Sequence, residues 1–296
     1  MKKSAMLRKM INKGKTVIAL GAYDAFSAIM IERAGFDAVY LSSFCQAASF
    51  MGKPDIGLMS STETLMIARN MAKSVDIPVI ADIEDGYGNA VNAMYIVERF
   101  EEAGIAGVHI DDQTSPCRCP FLPGLPRAKL LSIEQMCGKI RAMVKARKDP
   151  DFLIIPRPNV IGTVSLEQYY KDNLIEEVVR RGNAYAKAGA DAIFVMGFTP
   201  EELSFFARSI DAPLVGIFSG VEPIALNEFE KLGYKIVISS TITLYAAAKG
   251  MKEGLKSLKE TRDWNAIQDK LIKDDELFDI VKVKNLRPIY KEFNVK

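Results

Sequence analysis

Eight short apolar runs recur along the chain, and they constrain its fold more than any other feature. They are "TVIAL" (16–20), "DAVYL" (37–41), "IPVIAD" (77–82), "AGVHID" (106–111), "FLIIPR" (152–157), "DAIFVM" (191–196), "APLVGI" (212–217) and "YKIVIS" (234–239). Continuous runs of this kind are typical of parallel strands that are buried on both faces. Several follow a helix-like segment that ends at a glycine, as in "ERAGFDAVYL" and "AKAGADAIFV". Eight such units in 296 residues predict a (β/α)8 barrel, the TIM-barrel architecture.

A doubly wound open sheet is the alternative fold, but the segment "ALGAYDAF" after the first strand lacks the G-x-G-x-x-G loop that this fold commonly carries. No glycine-, serine- or proline-rich linker divides the chain, so we predict one domain over residues 1–296. The proline-rich segment 112–130 is predicted to be a lid loop that closes over the active site. A C-terminal helical extension at 241–296 is expected to cap the barrel or to pack on a partner subunit.

Charge and hydropathy narrow the classes of partner. A net charge of +2 is too small to attract nucleic acid or a membrane surface through long-range electrostatics. The N-terminal segment is interrupted by charged residues, which predicts an amphipathic helix rather than a signal peptide. No apolar run approaches the roughly 20 residues that span a bilayer. We therefore expect a cytoplasmic protein with reduced cysteines and with neither nucleic-acid nor membrane partners.

Acidic residues follow the third and fourth predicted strands, at the barrel rim where active sites lie. Asp82 and Glu84 are two positions apart and so point to the same side, while Asp111 stands at the same height one strand along. Three such carboxylates repel one another unless a cation or protons are present. Oxygen ligands favour Mg²⁺, so we predict a magnesium site, with Mn²⁺ as the alternative. Some acids could instead cap the next helix, notably Asp85 and Asp112.

Three further residues are candidates for chemistry. Arg157 ends an apolar strand and needs an anionic partner, either a barrel acid or a substrate carboxylate, and its place at the rim favours the substrate. His109 shares a strand face with Asp111, but a single imidazole inside a strand is more often a hydrogen-bonded core residue than a base. Cys119 lies in the lid next to Arg118, which would favour its thiolate form. An incidental surface thiol is the alternative for Cys119.

These segments, in order, resemble the isocitrate lyase and phosphoenolpyruvate mutase superfamily over nearly the whole chain. The matching pieces are "GAYDAFSAIMIERAGFDAVYLSS", "GKPDIGL", "PVIADIEDGYGNA", "AGIAGVHIDDQ", "DPDFLIIPR", "AYAKAGADAIFV" and "LYAAAKGM". Members are (β/α)8 barrels that bind Mg²⁺ and act on small α-oxo or α-hydroxy carboxylates through enolate-like intermediates. They are commonly tetramers in which neighbours exchange the eighth helix. The resemblance thus implies a homotetramer with a swapped helix and a small carboxylate substrate.

The resemblance also assigns residues. The family's D-x-D-T-G-Y-G motif appears here with Glu84 in place of the second aspartate and Asp85 in place of the threonine. The next acidic motif ends in Gln113, as in the lyases, rather than in the lysine of the mutases. The expected metal ligands are Asp82, Glu84 and Asp111; the expected substrate contacts are Tyr40, Ser42, Ser43, Phe44, Asp82 and Arg157; and the expected catalytic residues are Cys119, Arg157 and the mobile-loop Asp55.

The lid and two strand ends depart from the family pattern. Lyases carry K-[KR]-C-G-H, with the cysteine as the acid that protonates the departing enolate. This chain has Cys117, Arg118, Cys119, Pro120 and Phe121 at the aligned positions, so only the cysteine and the central basic residue remain. At the sixth and seventh strands the chain has Met196 and "GIFSG", where methylisocitrate lyases have a carboxylate and an asparagine. These changes predict a substrate with fewer carboxylates than methylisocitrate.

The leading hypothesis is therefore a Mg²⁺-dependent carbon–carbon lyase that cleaves a small substituted 2-hydroxy dicarboxylate of the methylisocitrate or dimethylmalate type. Phosphoenolpyruvate mutase, phosphonopyruvate hydrolase or oxaloacetate decarboxylase chemistry at the same site is the enzymatic alternative. A non-catalytic barrel that binds a carboxylate is the third hypothesis, since the lid motif is altered.

Overall fold

The computed structural model describes residues 1–218 and 224–294, and eight parallel strands form one sheet in it. The strands are β1 (Val17–Ala22), β2 (Ala38–Leu41), β3 (Val79–Asp82), β4 (Gly107–Asp111), β5 (Leu153–Arg157), β6 (Ile193–Phe194), β7 (Leu214–Ile217) and β8 (Ile236–Ser239). Their spatial order is β5-β4-β3-β2-β1-β8-β7-β6. Each of the eight predicted strands is present.

Helices connect the strands and continue beyond the last one. They are α1 (Lys3–Asn12), α2 (Ala25–Arg33), α3 (Ser43–Gln46), α4 (Ser61–Ser74), α5 (Ala90–Glu102), α6 (Ile133–Ala146), α7 (Leu166–Lys171), α8 (Ile175–Lys187), α9 (Pro200–Ser209), α10 (Leu226–Lys231), α11 (Ile242–Thr261), α12 (Asp274–Ile280) and α13 (Leu286–Glu292). A π-helix (Ala47–Met51) and 3₁₀ turns (Val160–Thr163, Trp264–Lys270, Val283–Asn285) complete the set. The predicted N-terminal amphipathic helix is α1, which buries Ser4, Leu7 and Ile11 on one face.

The two ends of the strand order lie side by side, which closes the sheet. The Asp191 backbone N–H, just before β6, donates to the Ile154 carbonyl of β5 at 3.0 Å. The Asp191 carboxylate in turn accepts from the Ile154 N–H at 2.9 Å, while Arg8 and Arg147 balance its charge. The predicted (β/α)8 barrel is confirmed, and the open-sheet alternative is wrong.

Strand register decides which polar side chains meet at the carboxyl-terminal rim. Asp82 of β3 is paired with His109 of β4, and Asp111 of β4 is paired with Arg157 of β5. Residues paired in neighbouring parallel strands stand at the same height on the sheet. The barrel therefore brings two carboxylates, one imidazole and one guanidinium into a single neighbourhood.

The described chain divides into two compact units, Met1–Ile242 and a second that begins at Thr243. The first contains the whole barrel. The second begins within α11, a helix of 20 residues in which no residue is buried. The single-domain organisation over 1–296 stays a prediction. None of the described helices is long and apolar enough to span a membrane.

Gly21 offers a test of the barrel's packing. A Cβ atom at this β1 position would lie 1.9 Å from the Ser240 carbonyl oxygen, a backbone atom that cannot move aside. We expect Gly21→Ala to lower the free energy of unfolding by about 2 kcal/mol or more, because the strands must separate to admit the methyl group. Urea denaturation followed by circular dichroism measures this value.

Gly138→Ala is the matched control. Gly138 lies inside α6, and a Cβ there meets only an Arg141 side-chain nitrogen at 4.0 Å. Alanine should raise helix stability at that position by about 0.5–1 kcal/mol. Equal stability of the Gly21→Ala variant and the wild type would contradict the packing described for β1 and β8.

Candidate active site

Asp82 ends β3 and accepts three hydrogen bonds at the barrel mouth. The Tyr40 hydroxyl donates to one oxygen at 3.0 Å, and the Glu84 backbone N–H donates to the other at 2.9 Å. Ser43 Oγ lies 2.9 Å from Asp82 and 3.2 Å from Asp55, so one hydroxyl proton serves two carboxylates. The site therefore places Tyr40, Ser43 and Asp55 beside a predicted metal ligand.

A second group of side chains donates hydrogen bonds to Asp111. Its Oδ2 atom accepts from Arg157 at 2.6 Å, from Asn159 and Gln113 at 2.9 Å each, and from the Cys117 thiol at 3.5 Å. Arg157 therefore pairs with a barrel acid, the less favoured of the two partners considered from the sequence. The reason is register, since β4 and β5 place the two side chains opposite each other. The Arg157 Nε atom is buried and has no partner among the described residues, so one donor is left for a ligand.

His109 lies between the two groups and is completely buried. Its Nδ1 atom is 2.9 Å from the Tyr40 hydroxyl and 3.5 Å from Asp82. Its Nε2 atom is 3.0 Å from Asp111 Oδ1, although the angle there is not that of a hydrogen bond. Burial lowers the pKa of His109, but the Asp82 carboxylate and its neighbours outweigh burial and raise it. The interpretation of His109 as a hydrogen-bonded buried residue agrees with this geometry.

Neighbouring charges shift the pKa of each acid differently. Burial would raise the pKa of Asp111, but Arg157 and His109 hold it well below its usual range. Burial, reinforced by Asp55 and Asp82, raises the pKa of Glu84 to about 9. Burial and the Asp82 charge raise the pKa of Asp55 to about 7. Asp111 is thus a firm anion, Glu84 holds a proton at neutral pH that a cation would displace, and Asp55 exchanges its proton near neutral pH.

The segment after β3 has a strained backbone where it carries these acids. Glu84 has φ 52° and Tyr87 has φ 58°, both in the left-handed region that side chains rarely adopt. A Cβ atom on the intervening Gly86 would lie 2.9 Å from the Ile110 side chain. Strain of this kind clusters at functional sites, where the surrounding structure holds it in place.

The carboxylates are the ligand type that hard divalent cations prefer, but they are not arranged as a complete metal-binding site. Among residues 1–218 and 224–294, no three Asp, Glu, His or Cys side chains converge as ready metal ligands. Asp111 Oδ1 and Asp85 Oδ2 are nevertheless buried oxygens without a hydrogen-bond partner in that part of the chain. Mg²⁺ keeps several waters and needs only one or two direct carboxylates, so the oxygen donors present fit such an ion.

The suggested helix-capping roles of Asp85 and Asp112 are wrong. The N-cap of α5 is Asn89, whose side chain accepts from two backbone N–H groups of that helix. Asp112 instead pairs with Arg181 of α8 at 2.9 Å and accepts the Tyr185 hydroxyl at 2.6 Å. These contacts turn Asp112 away from a ligand role, because its charge is already balanced inside the protein.

The segment after β2 carries the other expected substrate contacts. Ser42 is buried and caps α3 by accepting the Cys45 N–H at 3.3 Å, while Phe44 is half-buried. Sequence reasoning missed Gln46, which is fully buried with both amide atoms unpartnered among the described residues. A buried amide without partners is unfavourable unless a ligand or water binds it. The available sequence signal was a single large polar residue among the small residues of "CQAAS".

The lid rests on the loop that carries Asp55. The Cys119 N–H donates to the Asp55 carbonyl at 3.0 Å. Burial raises the pKa of the Cys119 thiol to about 11, which favours the thiol over the thiolate that a neighbouring Arg118 would favour. Arg118 does not oppose this effect, because its guanidinium binds the Pro126 carbonyl. The lid cysteine that contacts an acid is Cys117, which sequence reasoning did not single out for catalysis.

Two strand ends bear on substrate size. Met196, just after β6, is buried and brings no charge to the rim. Ser219 and Gly220 of the "GIFSG" segment lie outside the described residues. All four cysteines are free: Cys45, Cys117, Cys119 and Cys137.

Comparison with known proteins identifies the family. The family model described as phosphoenolpyruvate phosphomutase matches residues 7–259, most of the chain. The chain belongs to this family. It lies within the phosphoenolpyruvate mutase/isocitrate lyase superfamily, as the sequence resemblance indicated.

One curated relative and two solved structures represent the family's range. A 2,3-dimethylmalate lyase from Eubacterium barkeri is 35% identical over 296 residues, covering 98% of this chain and 97% of the relative. A phosphoenolpyruvate phosphomutase structure from Streptomyces platensis subsp. rosaceus has TM-score 0.90 and 33% identity, covering 98% of this chain and 99% of the other. A phosphonopyruvate hydrolase in complex with oxalate and Mg²⁺ has TM-score 0.87 and 30% identity, with the same coverage. Family members thus share the fold while their named reactions differ.

The raised pKa values of Asp55 and Glu84 predict how stability changes with pH. Their ordinary values are 3.8 and 4.5, and the folded protein raises them to about 7 and about 9. The folded state then holds protons that the unfolded state has lost, so stability should fall as pH rises from about 4.5 to about 9. A divalent cation at the acids removes this penalty. Thermal denaturation without and with Mg²⁺ should therefore show a larger Mg²⁺ stabilisation at high pH than at low pH.

Glu84→Gln should flatten this pH dependence and reduce the Mg²⁺ effect. Glu102→Gln is the control, because Glu102 is an exposed residue at the end of α5 whose carboxylate is 3.9 Å from Lys148. A Mg²⁺ stabilisation that is the same at all pH values, or the same in both variants, would contradict the role given to Glu84.

Proposed function

We propose that the protein is a Mg²⁺-dependent carbon–carbon lyase that cleaves a small 2-hydroxy dicarboxylate of the dimethylmalate type. The products would be a 2-oxo acid and a second carboxylic acid. The position of Cys119 in the lid is the main support for this proposal. Its backbone N–H donates to the Asp55 carbonyl, next to the buried acids, and its thiol is protonated. The similarity to a 2,3-dimethylmalate lyase over nearly the full length of both chains supports it.

Substrate binding would use donors that the protein leaves available. The Arg157 Nε atom is buried and has no partner within residues 1–218 and 224–294, and Arg157 already pairs with Asp111. A substrate carboxylate at this position would satisfy the donor and complete the charge balance. Tyr40 and Ser43 both bind Asp82, and they would exchange that contact to orient the other end of the substrate, together with the Ser42 and Phe44 segment.

The metal would be held by Asp82, Glu84 and Asp111, directly or through water. Each contributes carboxylate oxygen, the ligand type that Mg²⁺ prefers. When bound, the ion supplies the positive charge that stabilises the oxygen of the developing enolate. Mn²⁺ would serve the same purpose, because it accepts the same ligands.

The chain's own residues would move two protons. Asp55, with a pKa of about 7, is suited to take the proton of the substrate 2-hydroxyl near neutral pH. The bond between carbons 2 and 3 then breaks, carbon 2 becomes the carbonyl carbon of the 2-oxo acid, and the electron pair passes to carbon 3. Cys119 donates a proton to carbon 3. A pKa of about 11 keeps this thiol protonated until that step.

Phosphonopyruvate or phosphoenolpyruvate chemistry is the second candidate. The observation in its favour is the similarity to a hydrolase of phosphonopyruvate that binds oxalate and Mg²⁺, together with the family model itself. This chemistry, like oxaloacetate decarboxylation, needs enolate stabilisation but no cysteine acid. The altered lid around Cys119 is compatible with it.

We further propose that the protein assembles as a homotetramer that exchanges α11 between subunits. Apolar side chains of this helix are exposed, namely Ile242, Tyr245, Met251 and Leu255. Large apolar side chains that a helix leaves exposed favour a protein–protein contact. The cytoplasmic location and the absence of nucleic-acid and membrane partners stay predictions from composition.

Cys119 separates the two reactions. If the lyase proposal holds, Cys119→Ala should lower turnover of 2,3-dimethylmalate by about 10²-fold or more, the usual contribution of a general acid. Mg²⁺ stabilisation should be unchanged. Release of the 2-oxo acid, followed by proton NMR, is the measurement. Cys137→Ala is the control, because Cys137 lies on α6 with its thiol against the Ala184 carbonyl.

Undiminished turnover in Cys119→Ala would remove the cysteine from the mechanism. Phosphorus NMR of the wild type with phosphoenolpyruvate and with phosphonopyruvate tests the second candidate directly. Turnover of these compounds and none of the malates would replace the lyase proposal. No turnover of any compound, with Mg²⁺-dependent binding of them, would favour the non-catalytic barrel.

A charged substitution on α11 tests the proposed homotetramer. Leu255 is 68% exposed, and Leu255→Glu should dissociate the tetramer because a carboxylate would be buried in an apolar contact. Lys252→Glu, at an exposed charged position of the same helix, should leave the tetramer intact. Size-exclusion chromatography with light scattering gives the mass of each. A monomeric wild type would end the proposal.

A further inference from the structure

The predicted lid, residues 112–130, packs on the loop that carries Asp55, and several contacts hold it there. The Cys119 N–H reaches the Asp55 carbonyl, and the Thr114 N–H reaches the Lys129 carbonyl at 2.7 Å, which ties the two ends of the lid together. Gly57 lies directly under the lid. A Cβ atom there would lie 2.8 Å from the Cys117 carbonyl oxygen, so the lid packs closely on that loop.

Gln113 stands at the base of the lid and is almost completely buried. Its Nε2 atom donates to Asp111 Oδ2 and to the Arg118 carbonyl, both at 2.9 Å. Its Oε1 atom accepts the Arg118 N–H at 3.2 Å. Every hydrogen-bonding atom of the amide is thus used. The reverse orientation of the amide would set its oxygen against a carboxylate and a carbonyl, so the chemistry selects the orientation described.

These contacts join two parts of the site, which the Cys117 thiol also links. On one side is Asp111, the acid that Arg157 holds as an anion. On the other is the lid backbone at residue 118, one position before Cys119. Of the four donors on Asp111 Oδ2, two come from the lid segment, the Gln113 amide and the Cys117 thiol. Opening the lid at residues 117 and 118 would therefore remove hydrogen bonds from a buried carboxylate.

We propose that Gln113 is the positioning residue that latches the lid onto Asp111. It couples lid closure to the orientation of that carboxylate, and so places Cys119 only when the acid group is assembled. Gln113 does not itself contact substrate. The effect on turnover rests on the proposed lyase function, whereas the effect on the lid does not.

The test is the accessibility of the lid in Gln113 variants. Gln113→Met keeps the length of the side chain and removes all three hydrogen bonds. Gln113→Glu keeps the shape but turns the donor that faces Asp111 and the Arg118 carbonyl into an acceptor. Alkylation of each cysteine by iodoacetamide, followed by mass spectrometry, reports on the lid at Cys117 and Cys119. Tryptic cleavage of the native protein after Arg118 and Arg127 is the second readout.

We expect alkylation of Cys117 to accelerate roughly tenfold in Gln113→Met, the factor that the loss of about one net hydrogen bond to a charged group produces. The acceleration should be greater in Gln113→Glu, while alkylation of Cys137 on α6 stays at the wild-type rate. Gln135→Met is the matched control. Its amide oxygen accepts the Ser132 N–H at 2.9 Å at the start of α6, just after the lid segment.

Wild-type alkylation and cleavage rates at the lid in both folded Gln113 variants would overturn the proposal. Equal acceleration at Cys117 and Cys137 would overturn it as well, because it would indicate general loosening of the barrel. Where the protein turns over a substrate, Gln113→Met should lower kcat more than it raises KM, since the latch acts on closure. If the lid opens in the variants but the protein turns over no substrate, the proposal for Gln113 holds and only the proposed lyase function is contradicted.

Discussion

The ion pair between Asp111 and Arg157 is the interaction on which the site depends. Asp111 is buried and Arg157 is largely buried at the ends of neighbouring strands, and the parallel register of β4 and β5 sets them opposite each other. A buried carboxylate is unfavourable without a partner, and so is a buried guanidinium. Since each neutralises the other, Asp111 stays ionised at any physiological pH, and the remaining acids titrate in its field.

That field explains why the neighbouring acids differ. Burial raises the pKa values of Asp55 and Glu84, and the neighbouring anions raise them further. Asp82 is kept ionised mainly by His109, which lies between it and Asp111, and it accepts hydrogen bonds from Tyr40 and Ser43. The result is a site in which Asp82 and Asp111 are stable anions, whereas Asp55 and Glu84 have raised pKa values. Such a division suits proton transfer and the uptake of a hard cation.

Much of this arrangement was accessible from sequence, because its causes are local. The apolar runs and glycine turns predicted all eight strands, and the acids at "ADIEDG" and "HIDD" were placed at neighbouring strand ends. The pairing of Arg157 with Asp111 and the burial of the Cys119 thiol were not accessible in this way. Both depend on which group stands opposite and how much solvent remains, and these quantities arise only when distant segments meet.

Taken alone, the amino-acid order determined the periodicity of the elements, and therefore the barrel and the rim at which the polar residues gather. Only the tertiary structure decided the pairing at that rim. It set Gln113 on the lid backbone, put Asp112 on Arg181, and left Gln46 buried without a partner among the described residues. The physical reason is that backbone pattern follows from local sterics and burial, whereas hydrogen bonds between side chains require ångström-level placement by the packing of the whole barrel.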